Sequence, residues 1–338
     1  MTAACILGCS GPELTATEAD FFRDVQPWGF ILFRRNVVSP DQVRALVDAL
    51  RGTVGRADAP VMIDQEGGRV QRLGPPHWPV YPPGQAYGAL RTNDPVTRQS
   101  FARLGARLMA HDLAALGINV DAVPVLDVPQ PGAHDVIGNR AYSAQVDEIC
   151  QLGRSAAEGL IAGGVLPIIK HIPGHGRAMA DSHLELPRVD TDLDTLSRID
   201  FEPFRALSDM PMAMTAHVIY DAVDPRRPAT TSKTAIRDVI RTSIGFGGLL
   251  MSDDLSMKAL SGDFATRTRQ SLAAGCDVVL HCNGDMAEMT AIAGSVKPLA
   301  GRARARAEGA LARLPRVVEP IDLEATRARF AELVRAAT

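Results

Sequence analysis

Ionisable side chains recur at one kind of place in this chain, directly after short apolar runs. Asp64 ends one run, Lys170 and His171 end another, and Asp253 and Asp254 end a third. A carboxylate can attack a carbon atom as a nucleophile, and a histidine can exchange a proton near neutral pH. Burying such groups is costly unless they are paired or have a function. Their recurrence therefore predicts a catalytic site.

A further histidine, His183, lies two residues after Asp181. If the two side chains touch, the carboxylate orients the imidazole and favours its protonated form. The surrounding segment, 174–187, carries Gly174 and Gly176 and has a polar composition. We expect it to be a mobile loop that brings His183 to a bound substrate. The alternative is an ordinary surface loop with a solvated histidine.

Eight apolar runs must position these side chains. They cover residues 3–8, 29–33, 60–64, 119–126, 166–171, 212–217, 248–253 and 277–281. Each run is short and lacks polar alternation, which is typical of parallel strands covered on both faces. Strands alternating with helices in this way predict an α/β fold, a (β/α)₈ TIM barrel, with its active site at the C-terminal strand ends. An open doubly wound sheet is the alternative, but no G-x-G-x-x-G motif follows the first run.

Helix signals lie between the runs. The Ser39-Pro40 pair predicts a helix start and Gly52 its end. The Asp94-Pro95 pair starts a helix that we expect to reach about residue 117. From about residue 299, two helices separated by Pro315 and Pro320 are expected. We therefore expect residues 1–338 to form a single barrel domain, with the helices of 299–338 packed on it.

Charge and composition exclude several classes of function. The 338 residues include 36 lysines and arginines and 39 aspartates and glutamates, for a net charge of −3. This balance does not favour binding to nucleic acid or to an anionic membrane. No apolar run approaches the ~20 residues that cross a bilayer. The five cysteines form no C-x-x-C pair, and no signal segment is recognisable at the start, so we expect a cytoplasmic protein.

Three segments read together resemble the family 3 glycoside hydrolases. They are IDQEGGRVQR from Ile63, KHIPGHG from Lys170 with the later DSH, and MSDDLSM from Met251. More narrowly, the chain is similar to single-domain bacterial β-N-acetylglucosaminidases (β-hexosaminidases) of peptidoglycan recycling. The resemblance covers about residues 63–257. It implies an exo-acting, retaining enzyme without a cofactor, a bound metal or an obligate protein partner. The implied substrates are glycans with N-acetylglucosamine β-linked to an anhydromuramyl unit, with or without peptide.

The resemblance also implies a role for individual residues. Asp253 matches the catalytic nucleophile, His183 the acid/base, and Asp181 the residue that pairs with that histidine. The positions that match sugar-binding residues are Asp64, Arg72, Arg140, Lys170 and His171. The alternative to sugar binding is that Arg72, Arg140, Lys170 and His171 form salt bridges with Asp64 or Glu66 at the rim of the barrel.

Asp253 and Asp254 are neighbours, and this bears on the route of the reaction. Two adjacent carboxylates would suit a reaction in which the acetamido group of the substrate attacks its own anomeric carbon. Adjacent strand residues point to opposite faces, however, so we expect only one of the two to face the pocket. This favours a covalent glycosyl-enzyme on Asp253. Asp254 has helix capping as its alternative role.

Other functions remain open from the residues alone. His171 and His175 are four apart, but Pro173 and Gly174 intervene, so a helical zinc pair is disfavoured. A metal-dependent amidohydrolase would need a His-x-His motif after the first strand, which the sequence lacks. A non-catalytic sugar-binding barrel and a phosphorolytic enzyme are further alternatives.

Overall fold

Eight parallel strands close into a barrel in the computed structural model, which describes residues 1–92, 94–182 and 184–337. Neighbours in the barrel are neighbours in the chain, and β8 pairs with β1. The strands are β1 (Ala3–Gly8), β2 (Pro27–Leu32), β3 (Val61–Ile63), β4 (Val120–Asp121), β5 (Leu166–Ile172), β6 (Met212–Thr215), β7 (Leu249–Asp254) and β8 (Val278–His281). The predicted barrel is confirmed, and each predicted run overlaps one strand.

Both faces of the strands are buried, which explains why the runs do not alternate. Ile6 of β1 and Ile31 of β2 belong to a cluster inside the barrel to which all eight strands contribute. Leu7 and Phe30, their chain neighbours, belong instead to a cluster formed with the surrounding helices. Successive side chains of a strand point to opposite faces, so both faces require apolar residues.

The fourth predicted strand is too long. Residues 119–126 were expected, but β4 covers only Val120–Asp121. Pro124 has no backbone N–H to donate to a neighbouring strand, so regular pairing stops before it. Contact with β5 returns at Val125, which forms an isolated bridge with Lys170.

Helices surround the barrel. They are α1 (Ala16–Val25), α2 (Pro40–Val54), α3 (Gly84–Ala89), α4 (Pro95–Ala114), α5 (Val146–Ala162), α6 (Leu193–Arg198), α7 (Glu202–Ala206), a π-helical segment (Ala235–Ser243), α8 (Phe264–Ala274), α9 (Met286–Ala293), α10 (Gly301–Leu311) and α11 (Leu323–Ala337). Short helical turns cover Arg34–Asn36, Gly138–Arg140 and Ala229–Thr231. Two small sheets pair Gln65–Gly67 with Val70–Gln71 and Arg188–Val189 with Ile219–Tyr220.

The helix starts agree with the sequence signals better than the ends do. Ser39 caps α2, and Asp94 caps α4 by accepting hydrogen bonds from two backbone amides. The predicted end of α2 at Gly52 is wrong, because the helix continues to Val54. Gly55 ends it with a φ of +61°, a conformation that glycine adopts without the steric cost of a side chain.

The C-terminal helices contact the rest of the molecule through apolar side chains. Ala307 and Ala310 of α10 belong to the cluster inside the barrel. Phe330 of α11 lies 5.3 Å from Phe101 of α4, measured between ring centroids. Among the described helices, none has the length and apolar character needed to span a membrane.

Candidate active site

A cavity opens at the C-terminal ends of the barrel strands. Its volume is about 150 Å³. Six of the residues predicted from the sequence line it: Asp64, Arg72, Arg140, Lys170, His171 and Asp253. They come from four segments that are distant in the sequence, and the fold brings these segments together.

Gln65 shapes the chain between Asp64 and Arg72. Its side-chain oxygen accepts hydrogen bonds from the amides of Arg72 and Leu73, both at 3.0 Å. Its side-chain nitrogen donates to the Leu73 carbonyl at 2.9 Å. The strand pair Gln65–Gly67 and Val70–Gln71 thereby turns back on itself. As a result, the Arg72 guanidinium returns to the Asp64 carboxylate at 2.9 Å.

Lys170 joins the two acidic residues of this turn. Its Nζ atom lies 3.0 Å from the Asp64 carboxylate and 2.6 Å from the Glu66 carboxylate, and its side chain is only 2% exposed. Arg140 donates two hydrogen bonds of 2.8 Å to Glu66. Such paired donors hold a carboxylate in a fixed plane. The salt bridges considered as an alternative to sugar binding are therefore present, and they belong to the wall of the same cavity.

These contacts keep the cluster charged. Burial raises the pKa of Glu66, but Lys170 and Arg140 outweigh it and lower that pKa to about 2. Burial also opposes ionisation of Asp64, yet Lys170 and Arg72 hold its pKa well below the usual range. Burial would lower the pKa of Lys170, and the two carboxylates raise it instead. At neutral pH the cavity wall therefore presents fixed charges that can bind hydroxyl groups.

Asp121, at the end of β4, is a third carboxyl group close to this cluster. It is fully buried, and its Oδ1 atom accepts a hydrogen bond of 2.9 Å from the amide of Gln65. Burial raises its pKa well above the usual range. The shift is opposite in direction to those of Asp64 and Glu66, because at Asp121 burial outweighs the attraction of Lys170.

Asp127 organises the two histidines of the KHIPGHG segment. Its carboxylate lies 2.7 Å from Nδ1 of His171 and accepts a hydrogen bond of 2.6 Å from the amide of His175. Burial raises the pKa of Asp127, but His171 counteracts this and the pKa falls to about 2. Burial and the neighbouring His171 lower the pKa of His175 to about 4, so His175 is neutral at pH 7.

Asp253 and Asp254 differ in what their carboxylates contact. The Asp253 carboxylate accepts a hydrogen bond of 2.8 Å from the amide of Asp254. The Asp254 carboxylate accepts hydrogen bonds from the amide and hydroxyl of Ser256, at 3.0 and 2.5 Å, and from the amide of Cys282, at 3.2 Å. Asp254 thus joins the loops after β7 and β8 and does not cap a helix, since the next helix is capped by Asp263.

Both Asp253 and Asp254 line the cavity, so the expectation that only one of them would face it is wrong. The register of β7 against β8 shifts between Met251 and Asp254, which interrupts the regular alternation of side chains.

The segment 174–187 lies partly within the cavity. Ser182 lines the cavity, and its hydroxyl lies 3.2 Å from Nε2 of His175. Asp181 lines an adjoining cavity, which shares Arg140 with the first. His183, the predicted acid/base, lies outside the described residues. The segment was expected to bury little, but residues 174–176 are buried, so that premise is wrong for its first part.

His171 and His175, whose spacing raised the question of a helical zinc pair, lie in β5 and in the loop after it, not on a helix. Nδ1 of His171 faces Asp127, and the two imidazole rings lie 5.8 Å apart in an edge-to-face arrangement. Across residues 1–92, 94–182 and 184–337, no cluster of three or more histidines, cysteines, aspartates or glutamates is arranged to hold a metal ion.

The sequence interpretation left several contributors to this site without a role. Glu66 appeared only as a possible salt-bridge partner, His175 only as half of a disfavoured zinc pair, and Gln65 and Asp127 were given no role. One signal was available for Glu66, because Lys170, Arg72 and Arg140 are three cations whose charge Asp64 alone cannot balance. The hydrogen bonds of Gln65 and Asp127 depend on the folded turn and leave no spacing pattern in the sequence.

The cavity combines two kinds of chemistry. Charged groups of fixed position can bind a polyhydroxylated molecule by donating and accepting hydrogen bonds. The carboxylate of Asp253 can attack an electrophilic carbon atom or stabilise positive charge on it. Its position at a strand end, with a hydrogen bond from the next amide, restricts its orientation.

Comparisons with known proteins agree with this geometry. The model of the family described as "Glycosyl hydrolase family 3 N terminal domain" matches residues 11–317. A protein of Alkalilimnicola ehrlichii named Beta-hexosaminidase is 39% identical over 282 residues, which cover 82% of this chain and 80% of that protein. A protein of Aromatoleum aromaticum with the same name is 35% identical over 324 residues, covering 94% and 90%. The crystal structure of NagZ from Neisseria gonorrhoeae in complex with N-trifluoroacetyl-D-glucosamine is similar with a TM-score of 0.87, at 30% identity and 98% coverage of both chains.

Proposed function

The chain belongs to glycosyl hydrolase family 3, and from this we propose that it is an exo-acting, retaining β-N-acetylglucosaminidase. The proposal is supported by its relatives named Beta-hexosaminidase and by the similar structure that binds an N-acylated glucosamine. We propose further that the whole chain acts as one catalytic domain.

The charged cluster would bind the terminal sugar. Asp64 and Glu66 can accept hydrogen bonds from hydroxyl groups, whereas Lys170, Arg72 and Arg140 can donate them. All five side chains line one cavity, and their mutual ion pairs hold them in place before substrate arrives. A small cavity lined by such a cluster suits a single terminal sugar residue, which favours exo-cleavage over cleavage within a chain.

Asp253 and His183 would carry the reaction in two steps. In the first, the Asp253 carboxylate forms a bond to the anomeric carbon while the bond to the leaving oxygen breaks, and His183 gives that oxygen a proton. In the second, His183 takes a proton from water, whose oxygen displaces Asp253 from the anomeric carbon. Two inversions return the β-configuration. Asp181 would orient the imidazole of His183.

The substrates we propose are peptidoglycan-derived fragments in which N-acetylglucosamine is β-linked to an anhydromuramyl unit. The reaction needs no cofactor, since a carboxylate and a histidine supply both steps. We place the protein in the cytoplasm, which is consistent with its five cysteines, all free.

The observation that carries the proposal is that Asp253 lines the same cavity as the charged cluster. The test is hydrolysis of two matched nitrophenyl substrates, the β-N-acetylglucosaminide and the β-glucoside. We expect turnover of the first and at most weak turnover of the second. Turnover of neither, by a folded protein, would contradict the proposal and favour a non-catalytic sugar-binding barrel. A rate that depends on added phosphate would favour phosphorolysis.

A further inference from the structure

His217 is a buried histidine that the reaction outlined above does not use. It follows β6, and none of its surface is exposed. Its Nε2 atom lies 3.0 Å from the carbonyl oxygen of Asp254. A carbonyl oxygen can only accept a hydrogen bond, so Nε2 must carry a proton and donate it.

Thr230 determines the state of the other ring nitrogen. Its hydroxyl lies 2.7 Å from Nδ1 of His217 and 3.1 Å from the carbonyl of Ala216, and it has one proton to donate. The shorter contact favours donation to Nδ1. The hydroxyl of Thr215, 2.7 Å away, can then donate to Thr230. Burial lowers the pKa of His217, which agrees with a neutral imidazole that carries its proton on Nε2.

This chain of hydrogen bonds ends at the nucleophile. The Asp254 carbonyl is held by His217, and the Asp254 amide donates the 2.8 Å hydrogen bond to the Asp253 carboxylate. The Asp254 side chain is held by Ser256 and by the amide of Cys282. Asp254 is therefore held through its carbonyl and its side chain, and its amide donates to the Asp253 carboxylate.

We propose that His217, in the tautomer set by Thr230, is a positioning residue for Asp253. By holding the Asp254 carbonyl it fixes the backbone whose amide aims the nucleophile at the anomeric carbon. A displacement of ~1 Å at a reacting atom can cost about 10²-fold in rate. The inference rests on the proposed function, because it takes Asp253 to be the nucleophile.

Two variants of His217 separate positioning from packing. His217→Gln can keep a donor near the Nε2 position, whereas His217→Leu has a similar volume and no donor. We measure the limiting rate constant of inactivation by a 2-acetamido-2-deoxy-5-fluoro glycosyl fluoride, the Kd for N-acetylglucosamine, and Tm. We expect His217→Leu to slow inactivation by about 10²-fold with little change in Kd, and His217→Gln to recover most of that rate. Inactivation of His217→Leu at the wild-type rate would overturn the proposal, as would equal loss in both variants.

Thr230 gives a second test that leaves the histidine in place. Thr230→Val removes the hydroxyl at nearly constant volume, and Thr230→Ser keeps it. We expect slower inactivation in Thr230→Val and near wild-type behaviour in Thr230→Ser. This pair decides the question even if His217→Leu does not fold. If the two variants behave alike, the tautomer assignment is wrong.

The proposed function and this inference fail in different ways. If the reagent does not label Asp253 in the wild-type protein, the nucleophile is misassigned, whatever the His217 variants do. If wild-type Asp253 is labelled and His217→Leu is labelled equally fast, only the positioning role is lost.

Discussion

The Nζ atom of Lys170 lies 3.0 Å from Oδ1 of Asp64, and this contact connects β5 to the segment that follows β3. Both side chains line the cavity, and Lys170 also contacts Glu66. One buried cation therefore holds two carboxylates that we propose to bind the terminal sugar. Stability and substrate binding should depend on the same ammonium group.

Lys170→Met tests this dependence. The substitution keeps the length of the side chain but leaves two buried carboxylates without their shared cation. We expect the free energy of unfolding to fall by about 3–5 kcal/mol at pH 7, because removing one partner of a buried ion pair strands the other. Urea unfolding and the Kd for N-acetylglucosamine measure the two effects. Lys258→Met, at an exposed lysine, is the control and should change neither. Wild-type affinity in Lys170→Met would remove the lysine from the sugar site.

Asp127→Asn tests the carboxylate that holds His171 and His175. Asp127 is ionised in the folded protein with a pKa of about 2, below the ~3.9 of an unfolded chain. A lowered folded pKa gives stability that is complete above pH ~4 and is lost as the pH falls towards about 2. We expect the variant to be less stable by about 2–4 kcal/mol at pH 7, with a lower kcat.

The pH dependence of the stability difference between wild type and Asp127→Asn tests the charge of Asp127 more directly than the difference at pH 7 does. The gap in unfolding free energy between wild type and Asp127→Asn should narrow as the pH falls from about 4 to about 2. A gap that stays constant over this interval would mean that the charge of Asp127 contributes nothing and that only its shape matters.

Asp253 and Asp254 should respond oppositely to the same change. Asp254→Asn disturbs a carboxylate that accepts hydrogen bonds from Ser256 and Cys282, so we expect a loss of about 1–3 kcal/mol in stability. Asp253→Asn should lower kcat by several orders of magnitude and leave Tm nearly unchanged. Thermal unfolding and a chromogenic assay of both variants measure this. If Asp253→Asn keeps a tenth of the wild-type activity, or if the pattern is reversed, the two roles have been exchanged.

Features of the fold that follow from local sequence patterns could be predicted, whereas contacts between residues distant in the sequence could not. The eight strands were predictable because both of their faces are buried, as Ile6 and Leu7 illustrate. Convergence of Asp64, Lys170 and Asp253 followed from their places at strand ends and from the family motifs. The predicted boundaries of an element were wrong where a residue such as glycine, or an apolar run, is compatible with more than one local structure.

Two elements illustrate that failure. Gly52 was taken for a helix end, yet α2 continues through it because Thr53 and Val54 are still buried, and Gly55 supplies the left-handed turn. The fourth strand was overextended because its apolar run passes through Pro124, which cannot donate to a sheet. The contacts of Gln65, Asp127 and His217 could not be predicted from the sequence, because each includes an atom from a distant segment of the chain.

Gly176 provides a steric test of the segment that carries Asp181. A Cβ atom at this position would lie 2.0 Å from the carbonyl oxygen of Val128, so alanine must displace the backbone. We expect Gly176→Ala to lower kcat by at least about tenfold, through displacement of the segment 174–187. Gly11→Ala, where no atom lies within 4 Å of the new Cβ, is the matched control. Equal activity in the two variants would show that the segment can shift without consequence for the reaction.

The central claim is that Asp253 forms the covalent bond to the sugar. The measurement that tests it most directly is labelling with a 2-acetamido-2-deoxy-5-fluoro glycosyl fluoride, followed by digestion and mass spectrometry. We predict a stoichiometric adduct that maps to Asp253, since its carboxylate lines the cavity and the Asp254 carboxylate is engaged by Ser256 and Cys282. An adduct on Asp254 would contradict the assignment. No adduct, together with strong inhibition by a thiazoline analogue of the cyclised acetamide, would show instead that the substrate supplies its own nucleophile.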